Sequence, residues 1–181
     1  MVYIFLAEGF EETEAIAPGD ILIRGGVGVT YVSVTGTKTV TGTHGIKFEA
    51  DALFEDCDFS DAETIVLPGG MPGTNNLGAH AGVVNLFKEN NAAGKKVAAI
   101  CAAPMVLGLN GILAGKKATC YPGCEGNCKG ADMQKTAVVT DGNVTTSQGP
   151  GTAVHFGLEL LKNLKGKETA DQVAKDFLFQ N

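Results

Sequence analysis

Lys96-Val97-Ala98-Ala99-Ile100-Cys101-Ala102-Ala103-Pro104-Met105-Val106-Leu107 is the stretch on which the rest of the chain depends. It opens as a short apolar run, the pattern of a strand buried on both faces of a parallel sheet. It continues at helical spacing, with Met105, Val106 and Leu109 on successive turns. The junction residue is Cys101, with Ala99 two positions before it and Ala103 two after. Small residues on either side of a potential nucleophile mark a nucleophile elbow, a strand-to-helix turn too tight for larger side chains. Pro104 suits the first helical turn, where its missing N–H has no intrahelical partner to lose. A cysteine in an apolar run usually just fills space. At an elbow it instead sits over a helix N-terminus, whose dipole favours the thiolate. The expectation is a thiol below its free pKa of about 8.5.

Outward from this stretch, apolar runs alternate with helical patterns. Val2–Leu6, Val27–Val34 and Ile65–Leu67 read as core strands. Helices are expected from the Glu8–Glu14 turn to about Gly25, around Val83–Phe87 up to Gly94, from Gly151 to Leu164, and briefly around Val173–Leu178. Pro18 predicts a kink or break in the first of these. Thr39–Val40 and Ile46–Phe48 suggest a hairpin, and Lys117–Thr119 a short strand. Asp141-Gly142 marks a second hairpin, between Val138–Thr140 and Val144–Thr146. Strands alternating with helices imply parallel crossovers and a three-layer α/β/α sandwich in a single domain, residues 1–181.

The 181 residues are 44% hydrophobic, enough for one core, and carry a net charge of −6. There is no basic run and no aromatic–basic alternation, so nucleic acid is not an expected partner. No apolar stretch reaches membrane-spanning length, and no signal peptide is evident. A cytoplasmic protein is expected, with its five cysteines as free thiols.

Ligands of open parallel sheets bind beyond the carboxyl ends of the strands. Three loops leave such ends. Glu8–Glu14 offers the carboxylates Glu11, Glu12 and Glu14, Pro68–Gly73 offers bare backbone N–H groups at Gly69 and Gly70, and the elbow offers the Cys101 thiol. Together they supply a nucleophile, a proton carrier and an oxyanion hole. Taken alone, the acids could simply complement a helix dipole and the glycines could form a plain turn.

Four stretches in order carry a family resemblance. They are Ala7–Glu14 (AEGFEETE), Val66–Gly70 (VLPGG), Ala98–Pro104 (AAICAAP) and Thr146–Thr152 (TSQGPGT). Over nearly its whole length the chain resembles the ThiJ/PfpI superfamily, and within it the branch of the Parkinsonism-associated protein deglycase and its small bacterial relatives. The resemblance implies a flavodoxin-like fold, a homodimer, Cys101 as the reactive cysteine and Glu14 as the acid beside it. It also implies an oxyanion pocket made by the N–H groups of Gly70 and Ala102. The implied activity is a cofactor-free, cysteine-dependent conversion of 2-oxoaldehydes such as methylglyoxal to 2-hydroxy acids, extending to early glycation adducts. The implied alternative is a redox-sensing, chaperone-like protein acting through oxidation of Cys101.

Two departures narrow this. The superfamily's proteases place a His directly after the reactive Cys, where this chain has Ala102, so a peptidase or amidase lacks its base. Animal members of the closer branch carry a His before the Pro matching Pro122, where this chain has Tyr121. His44, on the hairpin that lies near the family's dimer interface, is one possible substitute; His80 and His155 read as surface residues. Cys120, Cys124 and Cys128 recur every four residues in a Gly-rich loop. Three thiols fall short of the usual four-ligand zinc set, so no metal is expected. They are read as unlinked thiols, with a disulfide formed on oxidation as the alternative. Cys57 lies among acids that dull its reactivity.

Overall fold

A computed structural model describes residues 1–179. In chain order the elements are β1 (Val2–Leu6), α1 (Glu12–Arg24), β2 (Val29–Ser33), β3 (Thr39–Thr41), β4 (Lys47–Glu49), β5 (Ala52–Leu53) and β6 (Thr64–Leu67). They continue as α2 (Gly73–Ala79), α3 (Ala81–Ala92), β7 (Lys96–Ile100), α4 (Pro104–Leu109), β8 (Lys117–Ala118), β9 (Asp132–Met133), β10 (Val138–Asp141), β11 (Val144–Ser147), α5 (Ala153–Lys165) and α6 (Lys167–Asp176). Seven strands form one sheet in the order β10-β11-β7-β6-β1-β2-β5. Every pairing in it is parallel except β10 with β11. The fold is the three-layer α/β sandwich that the alternating pattern implies, in the flavodoxin-like form that the family resemblance implies.

The period of two along each strand divides the core into two faces. Val2, Ile4, Leu6, Val66, Ala98 and Ile100 pack with α1, α5 and α6. Tyr3, Phe5, Ile65, Leu67, Val97 and Ala99 pack with α2, α3 and α4. The strand after β1 lies on one side of it, and β6 lies on the other. Their loops diverge there and leave a crevice at the carboxyl edge. The β7 loop, which carries Cys101, opens beside it.

Pro18 sits inside α1 without ending it. It removes the hydrogen bond to the Glu14 carbonyl, but close packing on α5 holds the helix together. A Cβ on Gly157 of α5 would come within 2.9 Å of the Pro18 Cα and the Ile21 Cδ1. Three elements give no sequence signal. β5 and β9 are two residues each, and α2 is built from Gly, Thr and Asn, a composition that reads as loop.

Because α1 carries Glu14, this contact sets the depth of the acid in the fold. Gly157→Val should lower stability by about 1–3 kcal/mol, the range for overpacking a tight contact. An unchanged urea midpoint would show that α1 and α5 have slack to separate.

Candidate active site

β7 ends at Ile100 and the chain reverses at Cys101, which has φ = 65°. A non-glycine residue in this region is strained and is held there by its surroundings. Two hydrogen bonds hold it. The Cys101 N–H donates to the Ser147 carbonyl at 2.9 Å, and the Tyr121 N–H donates to the Cys101 carbonyl at 2.7 Å. Ala102 and Ala103 complete the turn, and Pro104 is the first residue of α4. The thiol is thus lifted off the strand end, with Cys101 only 8% exposed. The backbone N–H groups of Ala102 and Gly70 favour the charged form of its sulfur.

The two glycines after β6 do different jobs. A Cβ on Gly69 would lie 2.7 Å from both the Cys101 Cβ and the Glu14 Oε2, so Gly69 permits close approach. Gly70 has φ = 86°, and a Cβ there would fall 2.4 Å from the Glu11 nitrogen. Glu11 caps α1 through its own side chain, which accepts the Glu14 N–H at 2.7 Å. That cap, rather than dipole complementation alone, sets the start of the helix.

Glu14 is fully buried. Its Oε2 accepts the Gly69 N–H at 2.8 Å, and the carboxyl lies beside Cys101 across Gly69. Oε1 is buried without an N–H or O–H partner among the described residues. Burial pushes the Glu14 carboxyl up to about 7, against the pull of the thiol and the Gly69 N–H. Burial likewise pushes the Cys101 thiol up to about 12, aided by the facing charge of Glu14 and only partly offset by the Ala102 and Gly70 N–H groups. The expectation of a lowered thiol pKa is therefore overturned. α4 begins three residues beyond Cys101, so its dipole is outweighed by desolvation and a like charge. Between these two values the pair holds one proton.

Other expected residues land in different places. Gly69 is not a free oxyanion donor, because its N–H is committed to Glu14; Gly70 and Ala102 are the donors that face the sulfur. His44 does not meet Cys101 within the chain. Its Nδ1 lies 2.7 Å from Glu12 Oε2 and its N–H donates to Glu12 Oε1 at 2.8 Å. The carboxylate raises the His44 pKa. For Glu12, burial pushes upward, but the His44 ring and several backbone N–H groups win and hold it below its ordinary value. Glu11, Glu12 and His44 are the group among the described residues whose oxygen and nitrogen atoms could close on a cation. Glu11 and Glu12 are already engaged as cap and ion-pair partner. Tyr121 anchors the elbow through its backbone, and its ring covers Gly149, where a Cβ would sit 3.2 Å from Cδ2. His80 caps α3 by accepting the Val83 N–H, and His155 stacks edge-on against Phe179.

Ser147, Gly149 and Glu12 were not singled out by the sequence for these roles. Ser147 acts through its carbonyl and Gly149 through its lack of a side chain, and such roles leave no chemical signature in a sequence. The Thr146–Thr152 stretch, one of the four that carry the resemblance, was the available signal.

Residues 1–163 match the DJ-1/PfpI family. The chain belongs to that family. Protein DJ-1 homolog A of Arabidopsis thaliana is 41% identical over 184 residues, covering 99% of this chain and 46% of that protein. The chain thus spans about half the length of that relative. Glutathione-independent glyoxalase DJR-1.2 of Caenorhabditis elegans is 35% identical over 173 residues, 93% of this chain and 90% of that protein. Oxidized Toxoplasma gondii DJ-1 superposes with a TM-score of 0.95 at 34% identity, covering 99% of this chain and 98% of that one.

Within this DJ-1/PfpI site, Glu14 should leave a mark on stability. Its folded pKa of about 7 lies above the ordinary 4.5, so the unfolded chain releases this proton first as pH rises. Stability is full below about 4.5 and falls as pH climbs through about 7. At about 1.36 kcal/mol per pKa unit, the loss is on the order of 3 kcal/mol. Urea denaturation of Glu14→Gln should lack that slope; parallel curves for parent and variant would show that the carboxyl is not desolvated.

Proposed function

We propose that this protein is a cofactor-free glyoxalase and deglycase-type enzyme, which converts small 2-oxoaldehydes such as methylglyoxal to 2-hydroxy acids and serves cytoplasmic carbonyl and oxidative stress defence. One observation supports the reading: a buried thiol lies beside a buried carboxyl whose pKa is raised to about 7. The relative from C. elegans that is named a glutathione-independent glyoxalase supports it.

The reaction follows from these groups. Attack of sulfur on the aldehyde carbon passes the thiol proton to Glu14, so no free thiolate has to wait in the pocket. The Gly70 and Ala102 N–H groups, released from the sulfur, hold the new hemithioacetal oxyanion. Glu14 passes the thiol proton on to this oxyanion and, again a carboxylate, takes the proton from the aldehyde carbon. It returns that proton to the neighbouring carbonyl carbon while the hydroxyl proton of the first carbon moves to the oxygen of the second, leaving a thioester. Water hydrolyses this and frees Cys101. A carboxyl with a pKa near the working pH suits both transfers. The slight exposure of Cys101 favours small aldehydes, and the absence of a His at Ala102 argues against peptide hydrolysis.

A second reading is a redox-sensing, chaperone-like role in which Cys101 is oxidised. The related T. gondii structure is of an oxidized form, and a protonated Glu14 could donate to an oxidised sulfur. Turnover separates the two readings. On the enzyme reading, Cys101→Ser abolishes conversion of methylglyoxal by reduced protein, and Glu14→Gln lowers it by roughly 100-fold or more, the scale of a lost acid–base group. Parent protein with no turnover, yet with a peroxide-oxidised Cys101, would transfer the case to the redox reading.

The family resemblance further implies a homodimer. Sedimentation velocity at micromolar concentration should give the mass of two chains; a monomer would remove the partner hairpin as a source of an additional His.

A further inference from the structure

The two carboxyl oxygens of Glu14 meet different walls of the site. Oε2 accepts the Gly69 N–H at 2.8 Å. Oε1 is buried with no hydrogen-bond partner among the described residues, and a Cβ on Gly149 would lie 3.9 Å from it. The same Cβ would lie 3.2 Å from Cδ2 and 3.7 Å from Cε2 of the Tyr121 ring. The ring edge and the unpartnered oxygen therefore flank one small region beside Gly149. No backbone donor opens into it from Gly149, whose N–H is given to the Thr152 hydroxyl at 3.1 Å. Tyr121 is tied to the reactive residue as well, its N–H donating to the Cys101 carbonyl at 2.7 Å. Tyr121 is 49% exposed, so part of its side chain covers Gly149 and the rest is open to a ligand.

We infer that Tyr121 is a specificity-determining residue, an aromatic wall that favours 2-oxoaldehydes bearing a flat apolar group, an aryl ring above all, on the carbon next to the aldehyde. The inference rests on the glyoxalase reading. In that reaction Glu14 reaches two substrate carbons in turn to carry a proton between them. Oε2 is committed to the Gly69 N–H, so Oε1 is the oxygen that meets the substrate. The second carbon, with the substituent it bears, then lies on the Gly149 and Tyr121 side of the carboxyl. A methyl group in that place covers little of the ring. An aryl group lies against it, removes apolar surface from water and gains an offset or edge-to-face aromatic contact. Among small 2-oxoaldehydes, the site therefore selects by the shape and polarity of this one substituent.

Two measurements on the full chain test this. The first is kcat/KM for phenylglyoxal relative to methylglyoxal. Tyr121→Ala should lower that ratio by roughly 5- to 10-fold, the scale of one lost aromatic contact. Tyr121→Phe should keep the parent ratio, because the ring remains. The second measurement needs no turnover. It compares the rates at which 2-bromoacetophenone and bromoacetone alkylate Cys101, followed by mass spectrometry. In both reagents sulfur attacks a carbon next to a carbonyl, which bears an aryl group in one and a methyl group in the other. Their rate ratio should fall in Tyr121→Ala and hold in Tyr121→Phe. An unchanged ratio in Tyr121→Ala in either measurement overturns the inference, as does an equal fall in Tyr121→Phe. Protein that turns over neither aldehyde, yet loses the alkylation preference in Tyr121→Ala alone, overturns the glyoxalase reading and supports Tyr121 as the wall that selects aryl carbonyl compounds.

Discussion

The left-handed backbone of Cys101 is the constraint on which the site depends. A non-glycine residue at φ = 65° costs about 1–3 kcal/mol, and this fold supplies the restraint from two other strand ends. β11 accepts the Cys101 N–H through Ser147, and the segment after β8 donates the Tyr121 N–H to its carbonyl. With both backbone groups fixed, the side chain has one place to go, between the β6 loop and the first turn of α1. The missing Cβ of Gly69 makes room there, and the φ of Gly70 directs its N–H toward the sulfur. The elbow is therefore a joint product of four segments far apart in the chain.

Burial then determines the chemistry. A carboxyl and a thiol on a water-exposed surface would both titrate near their ordinary values. Here desolvation raises both, and proximity prevents both from being charged at once. On the proposed reading, this single proton is what would let a cysteine without a histidine partner act as a nucleophile. On the same reading Ala102 is tolerable after the cysteine, because the proposed base, Glu14, is delivered by a helix rather than by the elbow. The His44–Glu12 pair sits outside this exchange and ties the β3–β4 hairpin to the start of α1. It steadies the segment that bears Glu14.

Most of the fold could be read along the chain because its core strands are short apolar runs and its crossovers are amphipathic. Val2–Leu6, Ile65–Leu67 and the Lys96–Ile100 run appear where expected, as do both hairpins. The elements that escaped, β5, α2 and β9, owe their form to neighbours rather than to their own composition. Pro18 shows the same effect in reverse. A residue that locally predicts a break is carried through an intact α1 by packing against Gly157.

The sequence by itself determined the parallel α/β architecture, the elbow at Cys101, and Glu14, Gly70 and Ala102 as candidates around it. Hydrophobic period and small-residue spacing are local properties, and a family motif is written in residue order. Only the tertiary structure decided the burial of Glu14 beside Cys101, the diversion of the Gly69 N–H to Glu14, and the pairing of His44 with Glu12. Each of these depends on distance and desolvation between segments that the chain keeps apart. A pKa or a hydrogen-bond partner is a property of what surrounds a residue in space, and no spacing along the sequence encodes it.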